Sequence, residues 1–98
     1  MTRIELAPQV ADDFERILDH LAQFQVEQPE LRIREIIEAF NVLAHNPMIG
    51  RPAMNGKREL VIGRDSHGYV ALYRYIVEVD AVFILAIRNQ QEAGYAAF

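Results

Sequence analysis

Side chains that can recognise phosphate or carboxylate groups, stack on bases or transfer protons are concentrated in the second half of this 98-residue sequence. The planar fork of arginine suits phosphate and carboxylate recognition, whereas tyrosine can stack on bases or relay protons. Residues 51–98 carry six basic and five acidic side chains, but residues 1–50 carry four basic and nine acidic ones. The set consists of Arg51, Lys57, Arg58, Arg64, Arg74 and Arg88 with His67, Tyr69, Tyr73, Tyr75 and Tyr95. We therefore expect the functional surface to lie in the second half.

The overall composition excludes several classes of function. The net charge of −4 argues against a protein that binds nucleic acid through a broad basic surface. The sequence contains no cysteine, so it has no disulfide, thiolate nucleophile or cysteine-based zinc site. Its three histidines lack metal-ligand spacing and no phosphate-binding glycine loop is present, so we predict no metal and no cofactor. The absence of a long apolar run and of a secretory signal pattern predicts a cytoplasmic protein.

The first half of the sequence predicts one short strand and two helices. RIEL, at residues 3–6, alternates apolar and charged side chains as a half-buried strand does. Two apolar stripes at helical spacing follow, one starting near Pro8 and one running from Pro29 to about residue 45. The spacing places Asp13 and Arg16 on the solvent-facing side of the first helix. Because only a few residues separate the helices, they should form an antiparallel hairpin.

Residues 57–88 organise the second half as three consecutive strands joined by two turns. The predicted strands are Arg58–Ile62, Tyr69–Val77 and Val82–Arg88. With the first strand they predict an α+β fold, in which the hairpin packs on a roughly four-stranded, mainly antiparallel sheet. Residues 90–98 are predicted as a short C-terminal helical tail with Tyr95 and Phe98 turned inward. The whole chain, residues 1–98, is predicted to be a single domain.

The two later strands of this sheet are apolar on both faces. A helical hairpin can cover only one face of a sheet, so the second face needs another cover. The C-terminal tail could supply part of it, but nine residues form a small lid, so a partner chain is expected as well. Arg74 and Arg88 are the only charges inside these strands. Each needs either an acidic partner, for which Glu59 and Glu78 are the candidates, or a functional reason. The tyrosines of these strands are more ordinary, since tyrosine is a common sheet-packing residue.

Short motifs follow one another along the chain in a recognisable order. They are RIELAP, the helical hairpin, an NPxxGRP loop, REL-V, GYVALYRY and FILAIRNQQEAGY, and they cover nearly the whole chain. This order resembles the RelE/ParE family of toxins from bacterial type II toxin-antitoxin modules. The resemblance implies a two-helix hairpin on an antiparallel sheet, and a cognate antitoxin that wraps the toxin and neutralises it. It also implies one of two activities, because RelE-like members cleave messenger RNA in the ribosomal A site and ParE-like members poison DNA gyrase.

Residue by residue, the resemblance favours the ParE-like activity. RelE-like members use lysines on the first of the three consecutive strands, but Glu59 and Val61 stand at about those positions here. Val70 stands where an arginine is expected after the GY pair. Only Tyr95, and loosely Arg88, match the nuclease pattern. One tyrosine and one arginine are few groups for a reaction that needs a base, an acid and cationic stabilisation of the phosphorane.

These observations predict a ParE-like toxin of a type II toxin-antitoxin, or plasmid stabilisation, module that inhibits growth by binding a macromolecule such as DNA gyrase. The predicted partner is a cognate antitoxin in a hetero-oligomer. The alternative is a RelE-like, ribosome-dependent mRNA endoribonuclease, and its candidate catalytic residues are Arg58, Arg74, Arg88 and Tyr95. A second alternative is an inert interaction module. The predicted target-binding residues are Arg58, Arg64, Arg74, Arg88 and Tyr95.

Overall fold

Two helices pack on one face of a five-stranded, mainly antiparallel sheet, so the fold is α+β as predicted. The computed structural model describes residues 1–24, 27–63, 68–92 and 94–96. The elements in chain order are β1 (Arg3–Leu6), α1 (Pro8–Gln23), α2 (Pro29–His45), β2 (Arg51–Pro52), β3 (Arg58–Ile62), β4 (Tyr69–Ile76) and β5 (Ala81–Asn89). None of the helices in these ranges is long and apolar enough to cross a membrane.

The strand order of the sheet is β1-β5-β4-β3-β2. It has one strand more than predicted, because Arg51 and Pro52, in the predicted loop, pair antiparallel with Glu59 and Arg58 of β3. β1 pairs parallel with β5 at the other edge, and the remaining pairs are antiparallel. β4 and β5 therefore have a neighbour on each side.

The core lies between the helical hairpin and the sheet. Both helices begin at a proline, where the missing N–H is unpaired in any helix. Neither helix has a side-chain hydrogen bond at its N-terminal cap, so the hairpin is held mainly by packing. The buried core residues are Val10, Ile17, Leu21, Ile36, Phe40, Leu43, Ile62, Tyr69, Ala71, Tyr73, Val82, Ile84 and Ile87. The predicted sheet-packing role is thus confirmed for Tyr69 and Tyr73.

A β-bulge in β5 decides which of its side chains face away from the helices. The pairing of β4 with β5 skips Leu85, so β5 has one residue more than its partner over this stretch. One extra residue exchanges the faces of all residues that follow it on the strand. Ile87 therefore joins Ile84 in the core, and Arg88 is turned to the opposite face of the sheet. Without the bulge, Arg88 would lie on the helix face.

The described part of the C-terminal tail does not form the predicted helix. Residues 90–92 and 94–96 are turns and irregular backbone. The guanidinium of Arg88 accounts for this difference, because it donates hydrogen bonds to the carbonyl oxygens of Asn89, Gln90 and Glu92. In a helix these carbonyl oxygens would accept hydrogen bonds from backbone N–H groups. Tyr95 is partly buried, as predicted. Phe98 lies outside the described residues.

Candidate binding surface

Glu59, Arg74 and Arg88 all lie on the face of the sheet that is turned away from the helices, which we call the second face. Glu59 is paired with Leu72, and Arg88 is paired with Val70. Paired residues share a face, and alternate residues along a strand share a face as well. β4 carries Val70, Leu72 and Arg74 at alternate positions. All five side chains therefore lie on the second face. The structure thereby brings two of the predicted target-binding arginines to one surface.

Four side chains form a cluster over one half of the second face, and we call Arg51, Glu59, Arg88 and Tyr95 the tail cluster. The Tyr95 hydroxyl donates a hydrogen bond of 2.6 Å to Glu59 Oε2, and Arg51 Nε donates one of 3.0 Å to Glu59 Oε1. The Arg88 guanidinium lies 3.8 Å from the Glu59 carboxylate and 5.2 Å from the centre of the Tyr95 ring. Glu59 is therefore the acidic partner of Arg88, as the sequence suggested.

The protonation states of the tail cluster follow from these contacts. Burial raises the pKa of Glu59, but the hydrogen bonds from Tyr95 and Arg51 and the charges of Arg51 and Arg88 outweigh it and hold the pKa below its ordinary value of 4.5. Burial, the hydrogen bond to Glu59 and the Glu59 charge all raise the pKa of Tyr95 above its ordinary value of 10.0. At neutral pH a neutral phenol therefore donates to an ionised carboxylate.

Most of this half of the second face is already covered by the chain itself, although Val61, which is paired with Val70, is 46% exposed. The Arg88 side chain is 15% exposed and the Glu59 side chain 17% exposed. Val70, Leu72 and Ala86, which share the face with them, are 2%, 5% and 0% exposed. The expectation that the C-terminal tail covers part of the second face is therefore confirmed, since Tyr95 contacts Glu59 there.

The other half of the second face is partly open. It consists of Arg74, Ile76 and Phe83, and we call it the uncovered half. Phe83 is paired with Arg74, and Ile76 is the next residue of β4 on that face. All three side chains are partly exposed. Arg74 donates a hydrogen bond of 2.6 Å to the carbonyl oxygen of Asn55. Within the described ranges it forms no salt bridge, with Glu78 or any other carboxylate.

Arg58, another predicted target-binding residue, lies on the helix face. It is paired with Tyr73 of the core, and its guanidinium donates to the carbonyl oxygens of Met48 at 3.2 Å and Gly50 at 2.7 Å. The Gly50 N–H in turn donates to the Tyr73 hydroxyl at 2.8 Å. A Cβ at position 50 would lie 2.6 Å from the Tyr73 ring, so this close approach requires glycine. Arg58 therefore anchors the NPxxGRP loop.

Arg64 and His67, which the sequence analysis singled out, lie outside the described residues, so the predicted part of Arg64 in target binding remains a prediction. Among the residues that the structure describes, no group of three or more His, Cys, Asp and Glu side chains is arranged to hold a metal ion.

Asp13 and Arg16 have structural roles that the sequence analysis missed. Asp13 was expected to face solvent but is 1% exposed, and its carboxylate accepts the Ile87 N–H at 2.9 Å. The sequence does carry a signal for this burial, because Asp13 lies three residues after Val10 and four before Ile17, within the buried stripe of α1. Arg16 is half-buried and pairs with Glu92 of the C-terminal tail.

Comparison with known proteins identifies the family to which this chain belongs. The sequence matches the family model for the ParE toxin of the type II toxin-antitoxin system, parDE, over residues 4–94. The chain therefore belongs to the ParE toxin family. A comparison with curated protein sequences gave no match.

Three solved toxin-antitoxin structures have the same fold. The chromosomal ParDE system from P. aeruginosa superposes with a TM-score of 0.73 at 25% identity, covering 91% of this chain and 96% of that chain. The RelBE2 complex from Mycobacterium tuberculosis gives a TM-score of 0.63 at 19% identity, with coverages of 91% and 98%. The intact E. coli RelBE complex gives 0.62 at 13% identity, with coverages of 94% and 100%. The two RelBE similarities concern the fold alone.

Proposed function

We propose that this toxin inhibits growth by binding a macromolecular target such as DNA gyrase, and that a cognate antitoxin neutralises it. The observation that carries the proposal is the ionised carboxylate of Glu59 at the centre of the tail cluster, where it accepts hydrogen bonds from Tyr95 and Arg51. This carboxylate occupies the arginine and the tyrosine that a nuclease would turn toward an RNA phosphate. The tail cluster therefore favours a binding protein over an RNA-cleaving enzyme.

The groups that match the nuclease pattern are engaged within the protein. Cleavage by attack of a 2′-hydroxyl needs a base, an acid and cations at the phosphorane. The raised pKa of Tyr95 keeps its phenol protonated, and its O–H donates a hydrogen bond to Glu59. Arg88 is held by Glu59 and by three backbone carbonyls. A substrate phosphate would have to displace these contacts before either group could act on it.

The uncovered half supplies the contacts expected of a binding surface. Arg74 is a cation whose described hydrogen-bond partner is a neutral carbonyl, and it shares the face with the apolar Phe83, its cross-strand partner, and Ile76. Arginine and aromatic residues contribute strongly to binding at protein interfaces. We propose Arg74 as the principal target-binding residue. Arg88 and Tyr95 complete the surface from the tail cluster, while Arg58 supports it indirectly through the loop.

An antitoxin partner is supported by the solved ParDE relative, which is a toxin-antitoxin system. The uncovered half fits a segment that places a carboxylate at Arg74 and apolar side chains on Phe83 and Ile76. Such a segment would make the toxin part of a hetero-oligomer. It would restrain growth inhibition in the bacterial cytoplasm and make the pair a plasmid stabilisation module.

The target is tested by adding the purified chain, in parallel, to a gyrase supercoiling assay and to ribosomes carrying a messenger RNA. We expect inhibition of supercoiling and intact messenger RNA. Cleaved RNA with unaffected supercoiling would replace the proposal by the RelE-like alternative. Growth that continues when the chain is expressed without an antitoxin would instead favour an inert interaction module.

A Tyr95→Phe variant separates the two activities in the same assays. It retains the ring that lies beside Arg88 but loses the hydroxyl that donates to Glu59. A general acid or base contributes about a hundredfold to ten-thousandfold to a rate, so a nuclease would lose activity on that scale. A toxin that acts by binding should retain inhibition within about tenfold. A larger loss with folding unchanged would contradict the binding role.

A further inference from the structure

The C-terminal residues are attached to the rest of the protein at two places on opposite faces of the sheet. We call residues 90–92 and 94–96 the strap. On the helix side, Arg16 Nη1 of α1 lies 2.5 Å from Glu92 Oε1. On the second face, the Tyr95 hydroxyl donates to Glu59. The strap therefore runs from α1, around the end of β5, to the tail cluster.

The attachment at Glu92 also bears directly on Arg88. The Glu92 carboxylate accepts the Asn89 N–H at 3.0 Å, and the Glu92 carbonyl oxygen accepts the Arg88 guanidinium at 3.2 Å. Arg16 is fixed independently, because its Nη2 donates to the Ile87 carbonyl oxygen at 3.0 Å. A rigid group on α1 thus determines where Glu92 lies, and Glu92 determines which carbonyl oxygen faces Arg88.

We infer that Arg16 and Glu92 are positioning residues, whose ion pair holds the strap so that Arg88 and Tyr95 have the geometry used for target binding. The inference rests on the proposed function for its effect on target binding. The position of the strap can be measured without a target. Neither Arg16 nor Glu92 belongs to the second face, so their effect on binding passes through the strap.

The ion pair is suited to positioning because it contributes little to the stability of the whole fold. The Arg16 and Glu92 side chains are 35% and 32% exposed, and partly exposed ion pairs contribute little to the free energy of unfolding. Its loss should release the strap while the core remains folded. A residue that merely stabilised the fold would change the strap and the core together.

The first test measures amide hydrogen exchange of the free protein with Glu92→Ala. The expected result is exchange at least about tenfold faster in residues 88–96 and unchanged exchange in β3 and β4. Glu92→Gln keeps an oxygen that can accept from Arg16 and Asn89, so it should restore most of the protection. Glu5→Ala is the matched control, since it removes the exposed pair of Arg3 and Glu5 at 2.7 Å, away from the strap. Unchanged exchange in the strap of Glu92→Ala would overturn the inference.

The second test measures inhibition of the target by Glu92→Ala, Tyr95→Phe and the double variant. Because both act on the same strap, the double variant should be weakened by clearly less than the product of the two single effects. Simple multiplication of the single effects would overturn the coupling. If the wild-type chain inhibits no gyrase but the strap exchanges as expected, the proposed target is wrong and the positioning role stands.

Discussion

At the scale of single residues, Tyr73 shows how one buried hydroxyl ties a loop to the core. Tyr73 is 0% exposed, and its oxygen accepts the N–H of Gly50. The composition of the NPxxGRP motif predicts a loop, because proline, glycine and asparagine favour turns. It cannot predict which side chain fixes that loop, because Tyr73 lies 23 residues further along the sequence.

Substitution of Tyr73 by phenylalanine should destabilise the protein by about 1–3 kcal/mol, because the buried Gly50 N–H loses its acceptor. Urea unfolding followed by circular dichroism measures this difference. The matched control is Tyr75→Phe, which loses a hydroxyl that donates to Asp80 in an exposed position. The control should change the free energy of unfolding much less. Equal effects of the two variants would show that the buried loop contact is unimportant.

Glu59 makes the stability of the protein depend on pH in a defined direction. Its pKa in the folded protein is below the ordinary value of 4.5, so its contribution is present above that pH and is lost as the pH falls through the folded value. Glu59→Gln cannot ionise and lacks this contribution. The difference in the free energy of unfolding between wild type and variant should therefore shrink from about pH 6 to about pH 3. A difference that stays constant over this range would contradict the role of the ionised carboxylate.

At the scale of secondary structure, side chains of α1 form hydrogen bonds to the backbone of β5 beyond the end of β1, where a strand would otherwise form them. The β1–β5 pairing stops at Leu6 and Ile84, which would leave the backbone of Ile87 without a partner on that side. The Asp13 carboxylate accepts the Ile87 N–H, and Arg16 donates to the Ile87 carbonyl oxygen. Two side chains of one helix therefore satisfy both polar groups of a buried strand residue.

Loss of the Asp13 carboxylate should accordingly destabilise the protein strongly. Asp13→Ala leaves the Ile87 N–H without its acceptor, which should cost about 2–3 kcal/mol, as for other buried hydrogen bonds to charged groups. Asp13→Asn keeps an acceptor oxygen and should cost less. The control is the exposed Asp12→Ala, expected within about 0.5 kcal/mol of wild type. Thermal unfolding measures all three, and similar midpoints for Asp12→Ala and Asp13→Ala would contradict this role of α1.

The sequence predicted the elements well, because each depends on local periodicity. Apolar residues at helical spacing predicted the hairpin, and apolar runs broken by turns predicted β3, β4 and β5. The bulge at Leu85 has no comparable signal, since it arises from the pairing of two strands. The face that Arg88 occupies depends on that bulge, and its partner Glu59 lies two strands away in the sheet. The partner was named as a candidate, but the geometry of the tail cluster was not predictable.

At the scale of the whole molecule, the protein covers most of one half of its second face, apart from Val61, and leaves the other half partly open. Strands that are apolar on both sides predict a second face that the C-terminal tail covers only in part. The tail cluster agrees with this prediction, because the strap and the side chains of Arg51 and Glu59 occupy one half. The open region continues beyond the uncovered half into the β4–β5 turn, where Val77 and Val79 are 67% and 53% exposed. This asymmetry places the proposed binding surface around Arg74.

The most direct test is the growth of bacteria that express the chain without an antitoxin, compared among wild type, Arg74→Glu and Arg34→Glu. Arg34 is exposed on α2, away from the second face, so the control has the same change of charge. We predict growth arrest by the wild type and by Arg34→Glu, and loss of arrest by Arg74→Glu at equal levels of soluble protein. Arrest by Arg74→Glu as strong as that of the wild type, or no arrest by the wild type, would contradict a toxin that binds its target through the uncovered half.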